Sequence, residues 1–358
     1  RLPFRGVVSV QKSYRFAGKQ SVALFLFLAV LSLALLFVLC MFGSAHLSIE
    51  EVLRGALYRY FAIGEKSGND GAIVNLRLMR TLMAYITGAA LSASGACMQA
   101  VFGNPMAEPH VLGVSSGAAL GAAIATVLGL ETSGLGISAL SLCAFGGAIL
   151  AAAAVLALSR IDGRTGTASL LLAGIAMGAF LSALLSGLLA LNREKADSVY
   201  LWTMGSFATA TWGKIRLAAP VTALGCLTAT LYARDLNVML AGETDARTLG
   251  RTRALALLLS TLMTAVVVSM TGVIGFVGLM VPHVARLLVG PDHRRLLPAC
   301  VLMGGIYLMC MDTPARSLFS SEIPVGVLTS LVGGPFFLFM LRKSRGARPR
   351  RGRRRAKA

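Results

Sequence analysis

Charged side chains are scarce in this chain of 358 residues, and acidic ones are the scarcest. Only 14% of the residues are charged, against about a quarter in an ordinary soluble domain. Long uncharged blocks, such as Val22–Phe42 and Thr81–Phe102, alternate with short charged ones. Each is long enough to cross a hydrocarbon core of about 30 Å as a helix. The composition excludes a soluble globular protein and predicts an all-α, polytopic membrane protein.

The six cysteines provide neither a disulfide framework nor a metal site. All of them fall inside apolar blocks, and none has C-x-x-C spacing. Buried thiols that act as small hydrophobic side chains explain them better. We therefore expect no metal in this chain.

Ionisable groups are missing from the middle of the apolar blocks. Asp312 is the deepest acid, at the margin of its block, and the histidines lie at or near turns. A proton-coupled carrier usually keeps such a group in mid-membrane. The chain also lacks a G-x-x-x-x-G-K-[ST] loop. If the protein moves a substrate uphill, another chain must supply the energy.

Catalytic constellations are missing as well. No paired carboxylates, metal-spaced histidines or G-x-S-x-G elbow lie together at membrane depth. An intramembrane enzyme is therefore disfavoured, and we expect no catalytic residues.

Uncharged runs predict ten transmembrane helices. The block Gly275–Leu288 is short and contains Pro282 and Arg286, so a tilted half-span or re-entrant segment fits it. The ten blocks are Val22–Phe42, Thr81–Phe102, Val111–Leu130, Leu135–Ser159, Ala168–Leu191, Leu217–Tyr232, Ala254–Val273, Gly275–Leu288, Leu296–Met311 and Pro324–Leu341.

The basic residues are concentrated in the two tails. Residues 342–358 hold ten of the 34 lysines and arginines and no acid. By the positive-inside rule, the tails 1–21 and 342–358 both lie in the cytoplasm, and 22–341 form the membrane domain. We expect the C-terminal tail to be disordered. A basic run beside a span meets anionic headgroups more often than nucleic acid, and no nucleic-acid recognition motif accompanies this one.

Glycine pairs and two polar segments interrupt the apolar pattern. Gly117/Gly121 and Gly174/Gly178 have G-x-x-x-G spacing, which favours tight helix packing over substrate contact. The segment 233–253 is too polar to span the membrane; it fits either two short cytoplasmic helices around Gly242 or an ordinary solvated loop. The stretch 101–123 contains two prolines, an acid and a histidine between apolar blocks.

Six landmarks in order, from about Leu76 to Leu341, resemble the permease subunits of ABC importers for iron chelates, haem and vitamin B12. They are "RLMRTLMAYITGAALSASGACMQAVFGNPMAEPHVLGVSSGAALGA", "LLLAGIAMG", "WTMGSF", "LNVMLAGETDARTLG", "GVIGFVGLMVPHVARLLVGPDHRRLLP" and "EIPVGVLTSLVGGPFF". The resemblance implies the type II ABC importer permease fold, a multi-pass protein of the bacterial inner membrane and a ferric siderophore or similar iron chelate as substrate.

The resemblance also implies the partners. They are a second permease subunit (a homodimer), two cytoplasmic ATPase subunits and a periplasmic binding protein. ATP and Mg²⁺ would sit on the ATPase, and this chain would hold no cofactor. The segment 233–253 would dock into the ATPase. The implied coupling positions are Gly242, Glu243, Ala246, Leu249 and Gly250, with Asp292, His293 and Arg294 beside them.

A cytoplasmic gate and a docking surface follow from the same resemblance. Asn104 and Met106 match one narrow point of the pathway, and Gly166 and Thr167 match the other. Pro105 and Pro109 are expected to end the helix and stiffen the turn; the plainer alternative is that Asn104-Pro105 only stops a helix.

On the outer side, Arg77, Arg80 and Arg316 match arginines that bind carboxylates of the binding protein. The alternative is that they only anchor helix ends at the headgroups. Met79 stands where the family usually has proline, which leaves the local backbone open but not the charges.

Other functions remain open at this point. The same motifs occur in haem and vitamin B12 permeases, so the substrate could be either. A secondary transporter or channel that works without an ATPase is the alternative from a different class. The absence of a mid-membrane carboxylate and the polar segment 233–253 count against it.

Overall fold

Helices make up nearly all of the regular structure in the described part of the chain. The computed structural model describes residues 18–43, 50, 54, 70–130, 137–161, 164–241, 250–318 and 321–346. The all-α fold class is confirmed. Most of both basic tails and the stretch 242–249 lie outside the described residues, and Gly242, Glu243, Ala246 and Leu249 lie there with them.

The described helices occur in the following order along the chain. They are α1 (Gly18–Met41), α2 (Asp70–Phe102), α3 (Val114–Val127), α4 (Ala139–Leu158), α5 (Thr167–Leu191), α6 (Ala196–Thr203), α7 (Trp212–Leu231), α8 (Ala233–Ala241), α9 (Gly250–Thr271), α10 (Val277–Val289), α11 (His293–Ser317) and α12 (Val325–Gly346). Pro109–Leu112 and Arg193–Lys195 are 3-10 turns, and Arg160–Ile161 pairs with Arg164–Thr165 in a small antiparallel hairpin.

Six of the described helices are long and apolar enough to cross a membrane: α1, α2, α4, α5, α9 and α11. The helices α7 and α8 pass the same test only as a pair bent by 62°. Val114–Val127, Val277–Val289 and Val325–Met340 are shorter apolar helices. These elements correspond to the ten predicted blocks: six are full-length helices, the sixth block is the bent pair, and the third, eighth and tenth are short helices, as the sequence predicts for the eighth.

Several helix bounds differ from the sequence-based expectation. The helix α2 begins at Asp70 rather than near Thr81, so Arg77 and Arg80 lie within it. Likewise, Arg316 lies inside α11 rather than after it. The third block is shortened at its start because Gly113 adopts a left-handed conformation (φ 73°) between the 3-10 turn and α3. Gly250–Arg253 form the first turn of α9 rather than part of a separate coupling helix.

The helix α2 forms the centre of the bundle, and α5 lies at its edge. In the most apolar 18-residue stretch of each helix, 83% of the α2 residues are buried but only 11% of the α5 residues. The longest shared packing is between α2 and α11, with α9 and α10 also against α2. A centrally buried helix is held by many neighbours, whereas an exposed one is freer to shift.

Glycines bring several helix pairs into backbone contact. A Cβ added at Gly88 in α2 would overlap the Gly304 carbonyl of α11, and one at Gly95 would overlap the Gly278 carbonyl of α10. Between α3 and α4, the same holds for Gly117 against Gly147. Without water to drive association in lipid, close van der Waals contact of this kind holds helices together.

The packing role expected of Gly117/Gly121 is confirmed. Gly174 is equally crowded, but Gly178 has only ordinary contacts.

Gly88→Ala tests the α2–α11 contact. The new methyl group would meet backbone atoms of Gly304, which cannot move aside, so we expect a loss of about 1–3 kcal/mol in stability. The control is Gly146→Ala in α4, where a Cβ meets nothing within 4 Å. Thermal unfolding in detergent should show a lower midpoint for Gly88→Ala alone. Equal midpoints for the two variants would contradict the contact.

Candidate functional site

The connection between α2 and α3 is a built turn rather than a slack loop. Gly103 (φ 57°) ends α2 in the left-handed conformation. The Gly103 N–H donates to Ala100 O at 3.2 Å and the Asn104 N–H to Gln99 O at 3.1 Å, the bond pattern of a Schellman cap. The expectation that Pro105 stops the helix is therefore wrong, because Gly103 already does so. Asn104 and Pro105 instead shape the turn that follows the cap.

Asn104 folds the turn that follows the cap. Its side-chain Oδ1 accepts from the Met106 N–H at 3.0 Å, and its carbonyl accepts from the Ala107 N–H at 3.1 Å. Pro105 fixes the backbone angle between them. Asn104 is exposed and Met106 half-buried. The two residues predicted for this side of the gate thus sit on a stiff, surface-facing turn.

Glu108 and His110, together called the clasp, hold the start of α10. The Glu108 carboxylate accepts from the Phe276 N–H at 2.7 Å, and His110 Nε2 lies 3.1 Å from Ile274 O. Among the described residues, Phe276 alone combines a side chain with a positive φ, 67°. A strained backbone of this kind persists only where its surroundings fix it. His110 also contacts Ser115 through Nδ1.

A second polar link, separate from the clasp, joins α2 to α10. Arg286 Nη2 donates to Gln99 Oε1 at 2.8 Å, and Gln99 Nε2 donates to Gly278 O at 3.3 Å. Gln99 is fully buried. A long polar side chain in an apolar helix is costly unless its groups are paired. The hydrogen bond to Gln99 therefore pairs Arg286, the charged residue of the short block Gly275–Leu288, inside the protein.

The other gate candidates lie at the first turn of α5. Gly166 is the extended residue before the helix (φ −75°, ψ 147°), and Thr167 is its first residue. The Thr167 hydroxyl accepts from Arg253 Nη2 at 3.0 Å. Two turns further on, Gly174 packs against the carbonyl of Val111 in the 3-10 turn. The α2–α3 connection therefore packs directly against α5 at Gly174.

One side of α5 lines an open apolar groove of about 530 Å³. Its lining residues are Leu158, Ser169, Leu172, Ala173, Ala176, Met177 and Phe180. Leu172, Phe180 and the neighbouring Ile175 are largely exposed, at 69%, 58% and 69%. In a membrane domain, an apolar helix this exposed faces lipid, a second subunit or a transport pathway.

The described part of the coupling segment is tied to two helices. The Asp235 carboxylate of α8 accepts from the Thr252 hydroxyl of α9 at 2.8 Å. Asn237 Nδ2 donates to Asp292 at 2.7 Å, and Asn237 Oδ1 accepts from the His293 N–H at 2.9 Å. His293 is fully buried, so it supports α8 from inside rather than presenting itself to a partner. Arg294 is exposed.

Asp292 is the N-cap of α11. Its Oδ1 accepts from the Arg294 N–H at 3.0 Å. Burial works to raise the pKa of this carboxyl, but the hydrogen bonds from Arg294 and Asn237 and the charges of Arg294 and Arg295 outweigh it, so the pKa lies below its ordinary value. Asp292 therefore stays ionised and keeps α8 and α11 together at neutral pH.

The three predicted docking arginines lie in one cluster with two acids. Arg80 Nε donates to Asp312 at 2.9 Å, and its Nη1 donates to Glu322 at 2.8 Å. Arg77 and Arg316 are only 6% and 4% exposed. Arg77 Nη1 donates to Met41 O at 2.9 Å and Arg316 Nη2 to Leu39 O at 2.6 Å. These arginines cap the carbonyl end of α1.

Of that cluster, only the Arg80–Glu322 pair reaches the surface, since the Glu322 side chain is 49% exposed. Arg77 and Arg316 would have to leave their carbonyl partners to bind another protein. The docking role stays a prediction. No three His, Cys, Asp or Glu side chains lie together as metal ligands within the described ranges.

The sequence pattern of one family covers most of the chain. The FecCD transport family matches residues 27–343. The chain belongs to the FecCD transport family. The hemin transport system permease protein HmuU of Yersinia pestis is 38% identical over 88% of this chain and 96% of its own length. A probable iron chelatin permease of Helicobacter pylori is 35% identical over 89% and 98%.

Two further comparisons agree with this family. The cobalamin import system permease protein BtuC of Halobacterium salinarum is 44% identical over 75% of this chain and 72% of its own length. An inward-facing metal-chelate type ABC transporter superposes with a TM-score of 0.76 and 30% identity, over 90% of this chain and 99% of that one. This FecCD chain is a membrane permease subunit of an ABC importer, not an enzyme.

Sequence reasoning missed the clasp, the Gln99–Arg286 link and Arg253. Gln99 could have been noticed as a lone amide in an apolar block, and Arg286 was noticed without a partner. The paired residues of the clasp, the Gln99–Arg286 link and the Arg253–Thr167 bond are 86 to 187 residues apart in the chain. No local pattern marks such pairs.

Asp312→Asn tests the arginine cluster of this FecCD permease. The substitution would leave the nearly buried Arg80 and Arg316 without their shared carboxylate, so we expect a loss of about 3–5 kcal/mol, seen as a collapse in the yield of monodisperse protein. Glu322→Gln is the control, because its half-exposed pair with Arg80 contributes about 1 kcal/mol or less. Size-exclusion profiles that are the same for both variants would show that burial does not matter here.

Proposed function

We propose that this permease imports a ferric siderophore or a similar iron chelate. The observation that carries the proposal is the FecCD match over residues 27–343. The relative from Helicobacter pylori, named for iron chelatin transport, supports iron chelate as cargo. All the cargoes in the relatives' names are bulky chelates, which suits a pathway between subunits better than a narrow pore.

In this proposal the chain works as part of a larger importer in the bacterial inner membrane. A second copy completes the pathway, and the exposed apolar groove along α5 supports a shared wall there. Two cytoplasmic ATPase subunits bind ATP and Mg²⁺, and a periplasmic binding protein delivers the cargo. This chain holds no cofactor of its own. Both termini lie in the cytoplasm, because the basic residues are concentrated in the tails.

The gate lies where the α2–α3 turn and the start of α5 meet the cytoplasmic end of the pathway. Asn104 and Met106 narrow it from the turn, and Gly166 and Thr167 narrow it from α5. The stiffness of the turn supports this role, since Asn104 holds its own backbone by two hydrogen bonds. A turn of this kind moves as a unit when its support moves.

Cobalamin is the second candidate cargo. The cobalamin permease of Halobacterium salinarum favours it, at 44% identity. The deciding experiment expresses the complete importer in a host without its own chelate uptake. It measures ATP-dependent uptake of radiolabelled ferric siderophore, haemin and cobalamin in parallel. Uptake of the ferric siderophore alone is the expected result.

Each other outcome of that experiment has a distinct meaning. Uptake of cobalamin or haemin alone would replace the iron chelate within the same importer class. Uptake without ATP that collapses with the proton gradient would overturn the importer itself and favour a secondary transporter.

Glu243→Lys tests the proposed coupling segment. We propose that Gly242, Glu243, Ala246, Leu249 and Gly250 dock into the ATPase. A lysine at 243 would reverse the charge there, so ATP hydrolysis should continue while uptake falls by about tenfold or more. Glu194→Lys is the control, because Glu194 is an exposed acid that lies beyond the C-terminal end of α5, away from the coupling segment in the sequence. Normal uptake by Glu243→Lys in purified, monodisperse importer would remove the docking role.

A further inference from the structure

Arg253 connects two parts of the molecule that are far apart in sequence. It lies in the first turn of α9, which begins at Gly250, where the described residues resume after 242–249. Its Nη2 donates to the hydroxyl of Thr167, 86 residues away, at 3.0 Å. Thr167 is the first residue of α5. One side chain thus joins the ATPase-facing end of α9 to the candidate gate.

The first turn of α9 is also fixed to the other half of the coupling segment. Thr252, next to Arg253, is buried and donates to the Asp235 carboxylate of α8 at 2.8 Å. Through Asn237, α8 is bound in turn to Asp292 and to the backbone of His293 at the start of α11. The two ends of the coupling segment therefore form one cross-linked block. A push on this block displaces Arg253 with it.

On the gate side, α5 packs little against the other helices of its own subunit. Only 11% of the residues in its most apolar stretch are buried, and Gly166 before it has no side chain with which to cap the helix. The Arg253–Thr167 bond is therefore a defined polar attachment at the first turn of a loosely packed helix. A helix with little packing shifts at a lower cost than one in the core.

We propose that Arg253 is a positioning residue that transmits movement of the coupling segment to the Thr167 gate through this hydrogen bond. The inference rests on the proposed ATP-driven import and adds the residue by which hydrolysis on the partner reaches the pathway. Arginine suits the task because its charged guanidinium makes a stronger hydrogen bond to the hydroxyl than a neutral donor would.

The test compares Arg253→Met, Thr167→Val and the double variant in the importer reconstituted with its ATPase and binding protein. Cargo uptake and ATP hydrolysis are measured separately. Each variant should lower uptake per ATP by about tenfold or more, the effect of losing one hydrogen bond to a charged group. The double variant should lose no more than either single one, because all three remove the same bond.

Matched controls separate this role from a structural one. Thr167→Ser keeps the hydroxyl that accepts from Arg253, so it should restore most of the uptake per ATP that Thr167→Val loses. Arg193→Met removes an exposed arginine in the 3-10 turn beyond the C-terminal end of α5 and should leave that ratio unchanged. Thermal midpoints in detergent should stay near the wild-type value for all five variants.

The inference fails if Arg253→Met transports with the wild-type ratio. It also fails if the two single effects add, or if uptake, hydrolysis and thermal stability all fall together. A wild-type importer that moves cargo without ATP would instead defeat the proposed function, so the two failures are distinguishable.

Discussion

Polar backbone groups inside a membrane protein must find hydrogen-bond partners within the protein. The break between α9 and α10 needs such partners, because its backbone groups are not paired within a helix. The chain is not helical from Gly272 to Phe276, yet Ile274 and Val277 are buried. Side chains from elsewhere supply the partners: Glu108 for the Phe276 N–H, His110 for the Ile274 carbonyl and Lys214 for the Met270 carbonyl. The polar stretch after α2 therefore supplies the hydrogen-bond partners of two of these three backbone groups.

The same stretch serves two ends. Its first half, Asn104 to Met106, forms the exposed turn proposed as a gate, and its second half carries the clasp on α10. The Val111 carbonyl then packs on Gly174 of α5. Because one short connection makes all these contacts, a shift of α10 or α5 would also move the turn at Asn104. Rigid short elements of this kind suit a two-state gate better than a mobile loop would.

The buried charges follow a consistent rule. Asp312 lies between Arg80 and Arg316, and Arg286 is bound to Gln99. Each charge at depth has a partner that lowers the cost of taking it out of water. Arg77 and Arg316 additionally hold the last carbonyls of α1. Arg77 and Arg316, which the family resemblance implies for docking, thus have a structural role, because they attach the end of α1 to the bundle.

The sequence by itself determined the membrane class, the helical fold, most helix positions and the importer family, because hydropathy and ordered local motifs are read along the chain. It did not determine where α2 begins, that Gly103 rather than Pro105 ends it, or which groups pair with Glu108, Gln99 and Arg253. Those features are contacts between residues far apart in the chain. Only the packing of the helices brings such residues together, so only the tertiary structure decided them.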